Sequence, residues 1–330
     1  MPANLPPQYL EAEKRYREAK TLQEKLHALK QMYAVMPKHK GTDKLQADIK
    51  RRISKINEEI EKERKSGGKR RSEYVKPEGA GQIVLLGPPN AGKSSLIEAL
   101  THAHPEVAPY PFTTKHPFPA MMPFEDIQIQ LVDMPPITSS WYEGWISSIV
   151  RGCDVVMLVV GLDDLDPDGS LKAILDHLED AGIILTAEDT SKEDLPDFRT
   201  IKKKALLVIN KVDLDDASIV RELVSPLIPN SAIYETSCVT KQGIEDLRRG
   251  IFNSLSIVRV YTKVPGKKPD MSKPFIVTRG TTVFDIAGQI HKDIKENLKF
   301  ARIWGHAKFD GQIVGKDYVL EDGDVIELHT

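Results

Sequence analysis

Short apolar runs alternate with amphipathic stretches through the middle of the chain, and this alternation constrains the fold more than any other feature. Apolar runs with the length of buried strands lie at 82–87, 127–133, 154–161, 204–210 and 231–237. Helix-like stretches separate most of them. The pattern predicts an α/β fold with a mostly parallel sheet covered on both faces. In such sheets, ligands bind beyond the carboxyl ends of the strands.

A phosphate-binding motif follows the first run. The residues GPPNAGKS, at 87–94, lie between the strand QIVLL and the helix-like stretch KSSLIEAL. Glycines let consecutive backbone N–H groups point at phosphate oxygens, and a helix N-terminus adds partial positive charge. A chance glycine turn is the alternative, and the flanking strand and helix argue against it. The predicted nucleotide contacts are Gly87, Pro88, Pro89, Asn90, Ala91, Gly92, Lys93, Ser94 and Ser95.

Two further motifs predict a guanine base. In NKVD, at 210–213, the Asp213 carboxylate can accept two hydrogen bonds from guanine, whereas adenine has no such donor pair on that edge. The aliphatic stem of Lys211 can lie along the base while its charge stays in water. We expect Asn210 to complete this motif and the backbone at 237–239 (Ser237, Cys238, Val239) to close the pocket. A surface turn is the alternative reading of NKVD alone.

The sequence also predicts a magnesium site and a switch. Lys93 would bind the β- and γ-phosphates, and the Ser94 hydroxyl would bind Mg²⁺. Asp133 ends an apolar run, where its carboxylate can hold the ion through water. The segment YPFTTKHP, at 110–117, is placed to close over the γ-phosphate, and we expect Thr114 rather than Thr113 to join the metal shell. Phe112 is a further predicted nucleotide contact.

The first 80 residues are basic and helical in pattern. They carry 20 Lys or Arg against 12 Asp or Glu, whereas residues 81–255 carry 14 against 26. Two apolar stripes flank a turn containing Pro37 and Gly41, which predicts a helical hairpin. Its basic face favours RNA, with a solvated helix as the alternative. The basic side chains are Lys38, Lys40, Lys44, Lys50, Arg51, Arg52 and Lys55.

These changes in pattern divide the chain into three predicted domains. They are a basic helical hairpin with a linker (1–80), a P-loop nucleotide-binding domain (81–255) and a small mixed sheet crossed by one helix at 281–294 (256–330). With two cysteines, no membrane-length apolar run and no signal peptide, we expect a cytoplasmic protein. We also expect a monomer that neither binds membranes nor recognises DNA sequences.

The motifs together resemble the Obg-type GTPases of the translation-factor class. GPPNAGKS, YPFTT and NKVD are most similar to the branch called developmentally regulated GTP-binding proteins (DRG). Residues 261–328 resemble that branch's TGS domain, a ubiquitin-like β-grasp module, and residues 36–52 resemble its N-terminal helical region. The resemblance implies a GTPase that cycles between GTP and GDP and associates with the ribosome or structured RNA. It leaves a regulatory protein partner open.

The resemblance also assigns Asn90 a role and exposes two departures. In relatives with asparagine at this position, K⁺ beside the nucleotide supplies charge, although asparagine also simply tolerates tight turns. The family's D-x-P-G has a glycine N–H at the γ-phosphate, whereas Pro136 has none. That absence removes one charge-assisted hydrogen bond, on the order of 1.5–3 kcal/mol. Ile137 follows, where many GTPases have a water-orienting glutamine.

Two functions follow from these departures. One is a slow, K⁺-stimulated GTPase in which Lys93, Thr114 and Asn90 act catalytically and nucleotide state governs ribosome or RNA binding. The other is a GTP-sensing scaffold with negligible hydrolysis, because Pro136 and Ile137 disable the second switch. The aromatic residues that follow are either core or a partner-facing patch; they are Trp141, Tyr142 and Trp145.

Overall fold

The computed structural model describes residues 9, 16, 25, 28, 29, 31–33, 48–56, 74–101, 116–139, 141–188 and 200–330. The chain divides into two compact units, residues 1–72 and 73–330. The switch segment with Phe112, Thr113 and Thr114 lies outside the described residues.

The described residues of the first unit are helical. Leu29, Met32, Ile49 and Ile56 are buried together with Tyr9 in one apolar cluster. The two predicted apolar stripes are therefore confirmed at Leu29, Ile49 and Ile56, and Met32 is a further buried residue that was not predicted.

Basic side chains of the first unit remain accessible on the helix at 48–56. Arg51 and Arg52 both pair with Asp48, at 3.4 and 2.7 Å, and their side chains stay 85% and 52% exposed. Lys50 lies 5.4 Å from the ring centre of Tyr33. The basic residues predicted in the turn are outside the described residues; they are Lys38, Lys40 and Lys44.

The second unit begins with a seven-stranded sheet. Its strands are β1 (Gln82–Leu86), β2 (Phe118–Phe124), β3 (Ile127–Asp133), β4 (Val155–Gly161), β5 (Ile183–Thr186), β6 (Ile201–Asn210) and β7 (Ile233–Thr236). The order is β2-β3-β1-β4-β6-β5, and β7 pairs with the second half of β6. All pairs are parallel except β2 with β3. The predicted α/β class with a mostly parallel sheet is confirmed.

Helices cover both faces of this sheet. They are α1 (Lys93–Leu100), α2 (Gly144–Gly152), α3 (Pro167–Asp180), α4 (Ser218–Val224) and α5 (Ile244–Ser254). Side chains alternate along β1, so Val84 and Leu86 join one buried cluster with α2, α3 and α4. Ile83 and Leu85 point to the other face and pack with α1 and α5. This burial on both faces explains why the strands read as continuous apolar runs.

Strand β2 was not predicted. Its sequence FPAMMPF contains Pro119 and Pro123, which cannot donate ladder hydrogen bonds. The strand lies at the edge of the sheet, where proline is tolerated, and pairs with β3 over its whole length. The β2–β3 hairpin therefore links the predicted first switch directly to Asp133.

The C-terminal domain is a five-stranded mixed sheet in the order β11-β10-β12-β8-β9. The strands are β8 (Ile257–Thr262), β9 (Asp270–Thr278), β10 (Phe300–Trp304), β11 (Gln312–Val314) and β12 (Asp324–His329). Helix α6 (Val283–Ile290) begins with a capping box between Thr282 and Asp285. Its buried side chains join the core of this sheet.

The single helix predicted at 281–294 is wrong in one respect, because the chain breaks at His291. The backbone there is extended, and α7 (Lys292–Asn297) begins afterwards. The His291 side chain accepts a hydrogen bond from the backbone N–H of Asp293 at 3.2 Å and so caps the new helix. Among the described residues, no helix has both the length and the apolar content that a bilayer span requires.

Candidate functional site

The loop at 87–92 is packed too closely for larger side chains at its two glycines. A Cβ on Gly87 would lie 2.3 Å from the Val159 carbonyl oxygen, and one on Gly92 would lie 2.1 Å from the Asn210 amide nitrogen. Gly92 also has a φ of 87°, and Asn90 a φ of 62°. The predicted curl of the loop between β1 and α1 is therefore present, and it lies beyond the carboxyl end of β1.

Lys93 is the first residue of α1 and is buried, at 7% exposure. Its ammonium donates to the carbonyl oxygens of Gly87 and Pro88 at 2.9 and 3.0 Å. Burial lowers the pKa of Lys93 to about 8, although the nearby charge of Asp133 acts in the opposite direction. A phosphate would supply the full counter-charge that two carbonyl dipoles cannot.

Ser94 and Asp133 lie side by side at the end of β3. The Ser94 hydroxyl donates to Oδ2 of Asp133 at 2.5 Å, and Asp133 is 1% exposed. A hydroxyl and a carboxylate brought together beside a phosphate loop form the hard oxygen donor set that Mg²⁺ prefers. The two residues therefore fit the predicted ion. Ser95, the next residue of α1, is half-buried.

Asn210 joins three segments of the predicted base pocket. It is 2% exposed, and its amide nitrogen donates to the Ala91 carbonyl at 3.2 Å. Its amide oxygen accepts from the Thr236 hydroxyl at 3.2 Å and from the Cys238 thiol at 3.6 Å. The asparagine thus ties the phosphate loop to the chain after β7 and acts as a structural centre of the pocket.

Asp213 and Ser237 form the opposite wall. The Ser237 hydroxyl donates to Oδ1 of Asp213 at 2.5 Å and accepts from the Thr240 backbone N–H at 3.1 Å. Burial raises the pKa of the Cys238 thiol to about 11, so this cysteine is a neutral part of the wall. Val239 is 82% exposed beside it. These contacts bring Asn210, Asp213, Ser237 and Cys238 together, while Val239 follows in the chain.

Asp163 is a site residue that the sequence analysis missed. Its two carboxylate oxygens accept from the Lys211 ammonium at 2.9 and 2.8 Å. Lys211 has a φ of 69°, in the left-handed region. Gly161, at the end of β4, pairs with Asn210 at the end of β6. Because adjacent parallel strands end together, an acidic residue two positions after β4 was the available signal.

The chain after Asp133 is anchored in the core. The four residues from 134 to 137 are buried, and Ile137 is 0% exposed within the cluster that contains α2 and α3. The Ile137 backbone N–H donates to the Gly87 carbonyl at 3.2 Å. Ile137 therefore does not merely lack a water-binding group, because its side chain is part of the core. Pro136 is buried beside it without an N–H.

Contacts with α3 fix the continuation of this segment. The Thr138 carbonyl lies 3.1 Å from Nε2 of His177, and the Tyr142 ring stacks on His177 with ring centres 4.8 Å apart. Tyr142 and Trp145 are partly buried and pack against the core cluster. The core alternative therefore accounts for these two aromatics. His177 was also missed, and its place on an ordinary amphipathic helix gave no sequence signal.

Two family models match the chain. The model described as 50S ribosome-binding GTPase matches residues 82–211, and the TGS domain model matches residues 258–330. Together they cover more than half of the chain, and they correspond to the sheet that holds the site and to the C-terminal domain.

Similar proteins extend over nearly the whole length. The chain is 28% identical to an uncharacterized GTP-binding protein of Methanocaldococcus jannaschii, covering 93% of this chain and 92% of that protein. It is 28% identical to developmentally-regulated GTP-binding protein 1 of Xenopus laevis, covering 85% and 91%. The solved YchF GTPase of Schizosaccharomyces pombe shares the fold, with a TM-score of 0.51 and 16% identity, over 78% of this chain and 99% of that chain. The chain therefore contains a GTPase domain and a C-terminal TGS domain, and over most of its length it is similar to the developmentally regulated GTP-binding proteins, in agreement with the Obg-type resemblance.

Proposed function

We propose that this protein hydrolyses GTP to GDP and phosphate slowly, and that its nucleotide state governs association with the ribosome or structured RNA. The observation that carries the hydrolysis proposal is the Ser94–Asp133 pair beside the buried Lys93 ammonium. Ser94 and Asp133 are two of the three predicted magnesium ligands, and a protein that only senses GTP has no need of them for catalysis. We therefore favour an enzyme over a passive scaffold.

Each of the predicted site residues has a defined role in this proposal. The loop N–H groups and Lys93 bind the phosphates, while Ser94, Asp133 and Thr114 would hold Mg²⁺. The ion would neutralise charge that develops on the phosphate oxygens. Asp213 accepts from guanine, and its carboxylate is already positioned by the Ser237 hydroxyl.

Slow turnover follows from the anchored segment after Asp133. Ile137 is in the core and Pro136 lacks an N–H, so neither residue orients the attacking water or binds the γ-phosphate. We propose that K⁺ held near Asn90 supplies part of the missing charge. Asn90 has a left-handed backbone and is exposed in the phosphate loop.

The alternative function is a GTP-sensing scaffold, and the burial of Ile137 favours it. Single-turnover hydrolysis in K⁺ and in Na⁺, with and without ribosomes, separates the two functions. We expect turnover that is faster in K⁺ and fastest with ribosomes. GTP binding without turnover in all four conditions would leave only the scaffold.

The RNA proposal rests on the basic first unit and on the family model named for 50S binding. Lys50, Arg51 and Arg52 are exposed on a described helix, and Arg51 is 85% exposed. We expect ribosome co-sedimentation to differ between GTP analogue, GDP and no nucleotide. Replacing these three residues with glutamine should weaken binding and reduce its salt slope by up to about three, or roughly one per phosphate contact. An unchanged slope would identify the segment as a solvated helix. We propose that the protein associates with the ribosome or RNA as a cytoplasmic monomer.

A further inference from the structure

The β2–β3 hairpin has one end at the nucleotide site. Phe118, the first residue of β2, pairs directly with Asp133, the predicted magnesium ligand at the end of β3. Thr114, the predicted switch residue, is four positions before Phe118 in the chain. The register continues without a shift to Phe124 opposite Ile127. The hairpin is therefore a regular two-stranded unit about 20 Å long that starts between the two predicted switches.

The other end of the hairpin is bound by the C-terminal domain. Arg259, on β8, donates to Oδ1 of Asp126 at 2.8 Å and also to the carboxylate of Glu125. The Tyr261 hydroxyl, on the same strand, donates to the second oxygen of Asp126. Arg259 is held from its own domain by Asp322, with contacts of 3.0 and 2.8 Å. One guanidinium thus joins the hairpin turn to the small sheet.

Aromatic packing encloses this charged cluster. Phe124, at the end of β2, stacks on Phe252 of α5 with ring centres 4.7 Å apart. The Arg259 guanidinium lies 5.1 Å from the centre of the Phe252 ring, and the Arg259 side chain is only 10% exposed. The hydrogen bond to Asp322 raises the pKa of Arg259, so it stays charged. Burial and the bond to Asp126 raise the pKa of Tyr261 to about 12.

We propose that the C-terminal domain is coupled to the nucleotide through this cluster, with Arg259 and Asp126 as positioning residues. Moving the hairpin at Asp133 and Phe118 moves its turn, and the turn cannot leave Arg259 without exposing a shielded ion pair. The position of the small sheet therefore depends on the nucleotide, and holding that sheet changes nucleotide preference by the same factor. This proposal rests on the proposed nucleotide function, and it names the route by which holding the C-terminal domain in place would affect the site.

The test uses the full chain with Arg259→Met, which keeps an apolar side chain of similar length and removes the guanidinium fork with its hydrogen-bond donors. We expect the ratio of GTP-analogue affinity to GDP affinity to change about fivefold or more, in either direction. Arg302→Met is the matched control, because Arg302 is exposed on β10 of the same sheet. Arg259→Lys should restore part of the wild-type ratio, since it keeps the charge without the fork.

A second measurement separates coupling from simple loss of structure. Hydrogen exchange of the β2–β3 amides should differ between GTP analogue and GDP in the wild type, and this difference should disappear in Arg259→Met. If that variant does not fold, Tyr261→Phe removes a single hydroxyl from Asp126 and should shift the affinity ratio in a smaller degree. A folded variant with wild-type ratio and wild-type exchange would overturn the coupling. A wild-type protein that binds neither nucleotide would instead overturn the proposed function.

Discussion

The two sides of the nucleotide site are built in different ways. On the base side, Asn210, Asp213 and Lys211 are connected by polar contacts to three other segments. On the γ-phosphate side, the segment from 134 to 137 is apolar, contains two prolines and is anchored in the core. The predicted base side is therefore a polar framework, whereas the segment predicted as the second switch has no polar side chain that could respond to a γ-phosphate.

A substitution on the base side should have the largest effect on nucleotide affinity. Asp213→Asn replaces an acceptor of two guanine hydrogen bonds, each about 1.5–3 kcal/mol with a charged group. We expect GTP affinity to fall on the order of 100-fold or more and affinity for xanthosine triphosphate to rise. Competition binding measures both.

Asp215→Asn is the control for that change. Asp215 is exposed two residues later and lies outside the pocket contacts. If the Asp213→Asn protein keeps the wild-type order of affinities for GTP and xanthosine triphosphate, the pocket assignment is disproved.

Supplying a backbone N–H at position 136, on the predicted γ-phosphate side, should have the next largest effect on nucleotide affinity. Pro136→Gly supplies a backbone N–H that can donate to the γ-phosphate. One such hydrogen bond contributes about 1.5–3 kcal/mol. We expect tighter binding of GTP analogue relative to GDP, measured by calorimetry. Pro135→Gly is matched in chain entropy but adds its N–H one residue earlier. If both variants change the ratio equally, the position of the donor is immaterial.

Because Ile137 lies in the core, replacing it with glutamine should not increase the rate of GTP hydrolysis. Ile137→Gln inserts an amide into an apolar cluster, which costs about 1–3 kcal/mol in the free energy of unfolding. We expect lower stability in denaturant and no faster GTP hydrolysis. Ile137→Val, the control, should lose about 0.5–1.5 kcal/mol. Faster turnover in the glutamine variant would show that this segment rearranges to face the nucleotide.

Lys93 should make nucleotide affinity depend on pH. Its pKa of about 8 means that GDP binding takes up a proton above that pH, because the phosphates require the charged form. GDP affinity should therefore fall as pH rises through 8, by up to about tenfold per pH unit. Calorimetry in buffers of different ionisation enthalpy measures the proton uptake.

The same lysine also affects stability with the opposite sign. Its pKa is higher in the unfolded chain, so the unfolded state binds more protons between about pH 8 and its ordinary value near 10.5. The nucleotide-free protein should gain stability from this group as pH rises through that window. Lys93→Arg keeps the charge and should remove both pH dependences.

Local pattern predicted the parts of the molecule that depend on neighbours in the chain. The strands that end before the phosphate loop, at Asp133 and at Asn210 were readable because strands buried on both faces are continuously apolar. Strand β2 was not readable, because Pro119 and Pro123 disfavour strands everywhere except at an edge, and edge position is a tertiary property. The break at His291 was missed because the apolar spacing continues through it.

By itself, the sequence determined the sheet class, the phosphate loop and the guanine motif, since each depends on residue types at short, fixed spacing. The tertiary structure alone decided that Asp163 holds Lys211, that Ile137 faces the core and that Arg259 binds the hairpin turn. Two of those contacts join residues 48 and 133 positions apart, and the third turns a side chain inward. Packing between distant segments determines such choices, and no local pattern encodes them.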